Sequence, residues 1–370
     1  MNFLLIYPSW SKLEHQTEFN LPPHGPVVMA AEIPDWVEVT FADENVQQVP
    51  VSEDWDMVGI SVMLTAQLPR ALALAALFRG KGVPVLFGGI SAMLHADEVA
   101  QHGSLFYGEV EGRLGPVFED ARAGQLKPRY DYDGDFPDIA AVGPARRELL
   151  TDELYTHKGV RMVDLFHASR GCRFNCFPCC TPFLGGRSFR PRPMARVEEE
   201  LATIENDRLF IVDNSLAQDT EWEKELFRTM IPFKKSWCCH PIEDDPEVLD
   251  LAAQAGAWYV YQAVFDTSDF IRERVKRYKD HGIGVEGTII LGLDDHDEES
   301  IKRLVDFLME IDLDLAEFTV LTPFRGSRIH RQLTKQGRIL SEDHSLYNAG
   351  NVVYQPKKIS PERLQEMYHY

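Results

Sequence analysis

The sequence predicts an α/β protein in two successive parts, each built on parallel strands. Short apolar runs alternate with longer helical stretches across residues 1–124, and the alternation restarts at about 158. Residues 125–157 lie between the two series and lack periodicity; "KPRYDYDGDFPDIAAVGP" is rich in Pro, Gly, Asp and Tyr, as in a linker. The second series holds about six strand–helix units, short of the eight that close a barrel. The expectation is therefore a doubly wound, Rossmann-like parallel sheet over 1–124. A partial (β/α)6 barrel of the TIM type follows over 158–335, then a tail over 336–370.

In the first series "NFLLIYP" is apolar and stops at Pro8, and "VEVTFAD" alternates as a strand does. "DMVGISVM" reads as a buried strand, and "QLPRALALAALFRGKG" as a helix that ends at glycine. "VPVLFGGI" and "SLFYGEVEG" are strands with "ADEVAQHG" as a short helix between them. In the second series the strands are "RMVDLFHAS", "RLFIVD", "KKSWCCHP", "WYVYQAVF", "VEGTIILGL" and "LAEFTVLTPF". Helices separate them. "DPEVLDLAAQAG" should be capped at Asp244 or Asp245, with Pro246 in its first turn. The tail "ISPERLQEMYHY" starts a helix and stops abruptly, so further chain is expected beyond it.

Of 370 residues, 44% are apolar and 26% charged, ample for sizeable cores. The formal net charge of −20 argues against nucleic acid or an anionic membrane as partner. The basic run "GGRSFRPRPMAR" (Arg187, Arg190, Arg192, Arg196) reads as a solvated loop, with anion binding as the second reading. No apolar stretch reaches membrane-spanning length, and the amino terminus lacks the basic start of a signal peptide. Six cysteines are too few for a disulfide framework in a chain this long, so a cytoplasmic protein is expected.

Four of those cysteines crowd into "GCRFNCFPCC", directly after a predicted barrel strand. Cys172, Cys176 and Cys179 have CxxxCxxC spacing, which can turn three thiolates to one side. Three are one short of the usual closed zinc or iron–sulfur set. A four-iron cluster would keep one iron open; zinc would need a fourth ligand from Cys180 or a distant His. Cys238 and Cys239 share a strand, so at most one faces a site, and buried core thiols are the plainer reading.

"SRGCRFNCFPC" resembles the signature loop of the radical S-adenosylmethionine (SAM) superfamily. The resemblance implies that Cys172, Cys176 and Cys179 hold a [4Fe-4S] cluster whose open iron chelates SAM, and that reduction then releases a 5′-deoxyadenosyl radical. Phe177 would lie by the adenine. Asp213, Gln262, Gly287 and Gly292 stand where relatives contact SAM, although "YVYQAVFDTSD" departs from the family's Gly-x-Glu-Ser strand end. The first part is similar to the cobalamin-binding domain fused to one radical SAM class. Ser61, Met63, Thr65, Gly88, Gly89, Gly108, Glu109 and Glu111 would line that cofactor. The family's DxHxxG cobalt-ligand motif is missing; "DDHDEE" at 294–299 has Glu299 in the glycine place. His24 and His95 read as surface or packed histidines.

The resemblance implies a methyltransferase that moves a methyl group from methylcobalamin to a substrate carbon radical. It also implies an external electron donor such as flavodoxin or ferredoxin, and a small-molecule substrate. A cyclase, ring-contraction or oxidation enzyme is the alternative in the same class; a non-catalytic cobalamin- or zinc-binding protein is the alternative outside it. No general base stands out among Asp213, Tyr261, Glu286 and Glu317. Phe166, Phe174, Phe183 and Phe189 hint at a nonpolar or planar substrate.

Overall fold

The computed structural model describes residues 1–12, 20–181 and 185–369. The chain divides into two compact units: Met1–Met162 with Asp343–Asn348, and Val163–Glu342 with Ala349–Tyr370. Among the described residues no helix is long and apolar enough to cross a membrane.

The first unit is one parallel sheet of six strands. In chain order these are β1 (Asn2–Tyr7), β2 (Glu38–Asp43), β3 (Met57–Ser61), β4 (Val85–Gly88), β5 (Ser104–Tyr107) and β6 (Arg129–Asp131). Their spatial order is β2-β1-β3-β4-β5-β6, so the winding reverses between β1 and β3. Phe3, Leu4, Leu5 and Ile6 are all buried, because β1 is covered on both faces. Helix α1 (His24–Ala30) precedes β2, and α2 (Leu68–Gly80) follows β3. The short α3 (Ile90–Leu94) and α4 (Ala96–Val99) follow β4, and α5 (Leu114–Arg122) follows β5. On one face α2 packs Leu74 and Phe78 against Leu4, Ile6, Val58 and Ile60. On the other, Phe118 of α5 meets Phe3 edge-on at 5.0 Å.

Residues 125–157 correct the expectation of a linker: all of them belong to the first unit. Tyr130 of β6 is buried in the core beside Phe118. Ile139, Val142 and Ala145 pack on Val27 and Val28 of α1. The Tyr155 hydroxyl donates to the buried Asp43 carboxylate at 3.2 Å. The composition reported irregular backbone correctly, and scattered apolar anchors hold that backbone on the first unit.

The second unit carries six parallel strands in sequential order, an open barrel. They are β7 (Asp164–Phe166), β8 (Arg208–Ile211), β9 (Ser236–Cys239), β10 (Ala257–Ala263), β11 (Gly284–Leu291) and β12 (Leu315–Val320). Among the described residues five helices alternate with them: α6 (Met194–Thr203), α7 (Thr220–Met230), α8 (Pro246–Gln254), α9 (Asp269–Asp280) and α10 (Glu298–Glu310). Helix starts follow the sequence signals. Asp245 caps α8 through the amides of Glu247 and Val248, ahead of Pro246. Asp297 and Ser300 form a reciprocal capping box on α10. Alternation along the strands sends Ile211, Trp237, Cys239, Val260, Val285 and Ile289 into the core shared with the helices. After β12 come α11 (Arg328–Lys335) and α12 (Pro361–His369), which buries Leu364 in that core.

Candidate functional site

The cysteine loop leaves the carboxyl end of β7, where catalytic loops of such barrels lie. Its base is tied down before the first thiol. Asp213, at the end of β8, accepts from the Ala168 amide at 2.8 Å and from the Ser169 hydroxyl. Ser169–Arg170 pair antiparallel with Arg190–Pro191, closing the loop as a hairpin. Gly171 has φ +76°, and a Cβ there would strike the Ser188 carbonyl, so only glycine fits. Cys172 is buried and its amide donates to the Gly186 carbonyl at 3.1 Å. Cys176 and Cys179 are exposed, and Cys180 is half-buried. Burial pushes the Cys172 thiol up, and the nearby Cys179 and Cys176 charges push it the same way. A multiply charged cation or cluster beside Cys172 would offset that rise.

Sequence reasoning missed two residues that shape this loop. Gln218 is fully buried; its Oε1 accepts from the Arg173 amide at 2.9 Å, and its Nε2 donates to the Gly171 carbonyl at 3.2 Å. It therefore grips the chain on both sides of Cys172. Arg192, read as part of a solvated run, is buried, pairs with buried Glu200 and donates to the His167 carbonyl at 2.9 Å. The i, i+8 Arg–Glu spacing was a possible signal; a glutamine that serves only backbone leaves none.

The strand face opposite the helices carries a second constellation. Phe210, His240, Tyr259 and Tyr261 form a chain of ring contacts 5.4–6.0 Å between centroids. The Tyr259 and Tyr261 hydroxyls lie 3.3 Å apart. Cys238 stands in register with Tyr259 on this face, while Cys239 is in the helix-side core, so the pair divides as alternation requires. Burial pushes the Cys238 thiol up to about 11. Burial, and then the charge of Glu317, push the Glu286 carboxyl up to about 7. Burial lowers the His240 imidazole.

Four residues expected to contact SAM have protein neighbours in the structure. Both Asp213 oxygens are taken by the loop base, and burial lifts its carboxyl to about 6. Gln262 and Gly287 are register partners on the face of Val260 and Val285, away from Tyr259 and Tyr261. A Cβ on Gly287 would meet Leu313 at 2.6 Å, and one on Gly292 would meet Tyr354 and Leu364, so both glycines make room for protein side chains. Phe177 alone of the five stands in the open, 47% exposed, with the Arg328 guanidinium 5.4 Å from its ring centre. Of the loop aromatics, Phe166 is core, Phe174 is exposed, Phe189 meets Trp222 edge-on, and Phe183 lies outside the described residues.

In the first unit the expected residues gather at the carboxyl ends of β3, β4 and β5. Thr65 and Ser91 hydroxyls lie 3.3 Å apart, and Ser91 donates to the Met63 carbonyl at 3.0 Å. Gln67 Oε1 accepts from the Met63 and Leu64 amides at 2.9 Å, fixing the turn after Ser61. The Gly108 amide points at the Met93 sulfur, 3.2 Å away. The glycines differ in what they face. A Cβ on Gly89 (φ +92°) would lie 2.6 Å from the Val62 carbonyl oxygen, and one on Gly108 would lie 2.9 Å from Tyr132. A Cβ on Gly88 would meet nothing within 4 Å, so Gly88 alone of the three borders open space. Glu111 is buried and Glu109 half-buried. His95 is buried against His344.

No protein-family model matches the chain. Curated relatives span nearly all of it. Bacteriochlorophyllide d C-12(1)-methyltransferase of Chlorobaculum tepidum is 24% identical over 374 residues, 94% of this chain and 80% of its own length. The C-8(2)-methyltransferase of the same organism is 24% identical over 367 residues, 90% of this chain and 81% of its own. The radical S-adenosylmethionine methyltransferase TsrM of Kitasatospora setae, solved with cobalamin and a [4Fe-4S] cluster, shares the fold. Its TM-score is 0.68 at 16% identity, over 90% of this chain and 78% of its own. With a CxxxCxxC loop at the mouth of an open barrel and a switch-point sheet before it in the chain, the protein shares the fold of that radical SAM methyltransferase and is similar along nearly its whole length to curated methyltransferases.

Proposed function

We propose that the chain is a cobalamin-dependent radical SAM enzyme that methylates a carbon atom of a small organic substrate. The observation that carries this is the cysteine loop: three cysteines in CxxxCxxC spacing at the carboxyl mouth of an open parallel barrel, on a backbone fixed by Gln218, Asp213 and Gly171. Cys172, Cys176 and Cys179 would hold a [4Fe-4S] cluster, with the exposed Phe177 ring covering the adenine of SAM. The end of β4 at Gly88, with Ser61, Met63, Thr65, Gly108, Glu109 and Glu111 near it, would take cobalamin. Together these groups supply a carbon-centred radical and a transferable methyl group.

The chain's own residues bind and orient. Phe210, His240, Tyr259 and Tyr261 offer ring faces to a planar part of the substrate, and Glu286 and Glu317 accept hydrogen bonds from its N–H or O–H groups. The two carboxyls would serve to position the substrate. The relatives from Chlorobaculum tepidum act on bacteriochlorophyllide d, which supports a methyl transfer over the cyclase alternative.

Anaerobic reconstitution tests the reading. Four irons per chain, reductive SAM cleavage and uptake of labelled methyl from methylcobalamin are expected, all lost in C172A, C176A and C179A. No retained iron and no SAM cleavage would instead make the protein a binding module.

A further inference from the structure

One polar cluster in the first unit belongs to neither candidate site. His95 closes α3 and precedes α4, which carries Glu98. The third member, His344, comes from Asp343–Asn348, a segment of the first unit although both its flanks in sequence belong to the second. His344 Nε2 lies 3.0 Å from Glu98 Oε2, and His95 Nδ1 lies 3.9 Å from the same oxygen. One ligand atom from each of the three residues falls within 4.8 Å of the others. The imidazoles meet edge-on, 4.4 Å between centroids. His95 is buried, while Glu98 and His344 reach solvent.

An ordinary ion pair between His344 and Glu98 accounts for the shorter distance but gives no reason for a second imidazole against the same oxygen. A tetrahedral ion with bonds near 2.0–2.1 Å sets its ligand atoms roughly 3.3 Å apart. The observed 3.0 and 3.9 Å lie either side of that. Two neutral imidazoles and one carboxylate are a donor set that zinc-class ions favour, and they leave a fourth position for water. Backbone geometry already presents His344: Asp343 caps its turn by accepting from the Ser345 amide at 3.0 Å. The same turn packs on the Thr65–Gln67 turn and on α2.

We propose that His95, Glu98 and His344 bind one zinc-class divalent ion, which fastens the Asp343–Asn348 segment to α4. The site is independent of the cobalamin reading. Binding replaces the His344–Glu98 hydrogen bond by coordination and releases whatever proton the imidazoles carry.

The test uses the full chain with Cys172, Cys176 and Cys179 all changed to alanine, so that no thiol cluster competes. The protein is stripped with chelator, then titrated with zinc chloride by calorimetry and, after dialysis, by metal analysis. One equivalent is expected. H344A and E98Q, both at solvent-reaching positions, should weaken it by more than the roughly 10–100-fold that loss of an outer-shell partner costs. H102A, outside the cluster, should leave it unchanged. Zinc should also slow proteolysis within 336–348, and H344A should remove that protection. No retained zinc, or an equivalent that survives in both H344A and E98Q, overturns the proposal and leaves the cluster an ion pair. Because the cluster cysteines are absent throughout, failure here leaves the radical SAM reading untouched.

Discussion

At the strand ends of the second unit, three thiols stand on a loop whose backbone is tied on both sides by Gln218 and at its base by Asp213. At the strand ends of the first, the candidate lining is a turn of hydroxyls and glycines, with only Gly88 bordering open space. The contrast follows from how each cofactor would be gripped. A cluster held by metal–thiolate bonds needs few residues of one rare type, at fixed spacing and on rigid backbone. A large organic cofactor held by contact area and backbone hydrogen bonds needs many residues of common types, none irreplaceable by chemistry.

The largest expected effect breaks that contrast at its sharp end. C172A should take iron content after reconstitution from about four per chain to near zero, with SAM cleavage falling at least about a hundredfold. Cobalamin binding, read by absorbance of the loaded protein, should stay within a factor of two. If both cofactors were lost together, the two sites would not be separable as described.

The next effect lies within the first unit. G89A forces a side chain into a left-handed backbone with its Cβ against the Val62 carbonyl, and should cost about 3 kcal/mol in urea unfolding. G88A meets nothing, so stability should move by less than about 0.5 kcal/mol. Only G88A probes the ligand: cobalamin affinity should fall about tenfold while the fold holds. An unchanged affinity would remove Gly88 from the site.

Q218A sharpens the comparison from the loop side. It strips hydrogen bonds from the buried Gly171 carbonyl and the half-buried Arg173 amide, on either side of Cys172, at a cost of about 2 kcal/mol. Its diagnostic is uneven damage: a lower midpoint for iron retention against chelator, with cobalamin affinity unmoved. Equal loss at both sites would make Gln218 a general core residue.

What was legible in the sequence follows the same division. Local signals carried through: the Asp245–Pro246 helix start, the alternation that separates Cys238 from Cys239, and the loop spacing. Signals that depend on which neighbour a residue meets did not. Gly287 looked like cofactor room until Leu313 filled it, and Gln262 shares that face by register with Gly287. The alternation of Tyr259 and Tyr261 already implied as much, since Gln262 sits one step out of phase with them. Residues 125–157 lacked periodicity because their anchors, Tyr130, Ile139, Val142 and Tyr155, are single contacts rather than a face.

The smallest effect concerns the barrel face that the cofactors do not explain. Glu286 is pushed from the ordinary 4.5 up to about 7 by burial and by Glu317. The folded protein therefore holds a proton that the unfolded chain has already lost between those two values. Stability falls as pH rises through that window, and the loss is complete above it. The full shift corresponds to an upper bound of about 3 kcal/mol, reduced to about 1 kcal/mol by solvent screening at a half-buried group. E286Q should therefore be more stable than the parent at pH 8 by about 1 kcal/mol, and no more stable at pH 4.5, in paired urea titrations. The gain should shrink in an E317Q background, because the second cause of the shift is gone. A gain that persists at pH 4.5 would mean glutamine packs better there, and the carboxyl pair would lose its claim to be a strained, substrate-facing feature.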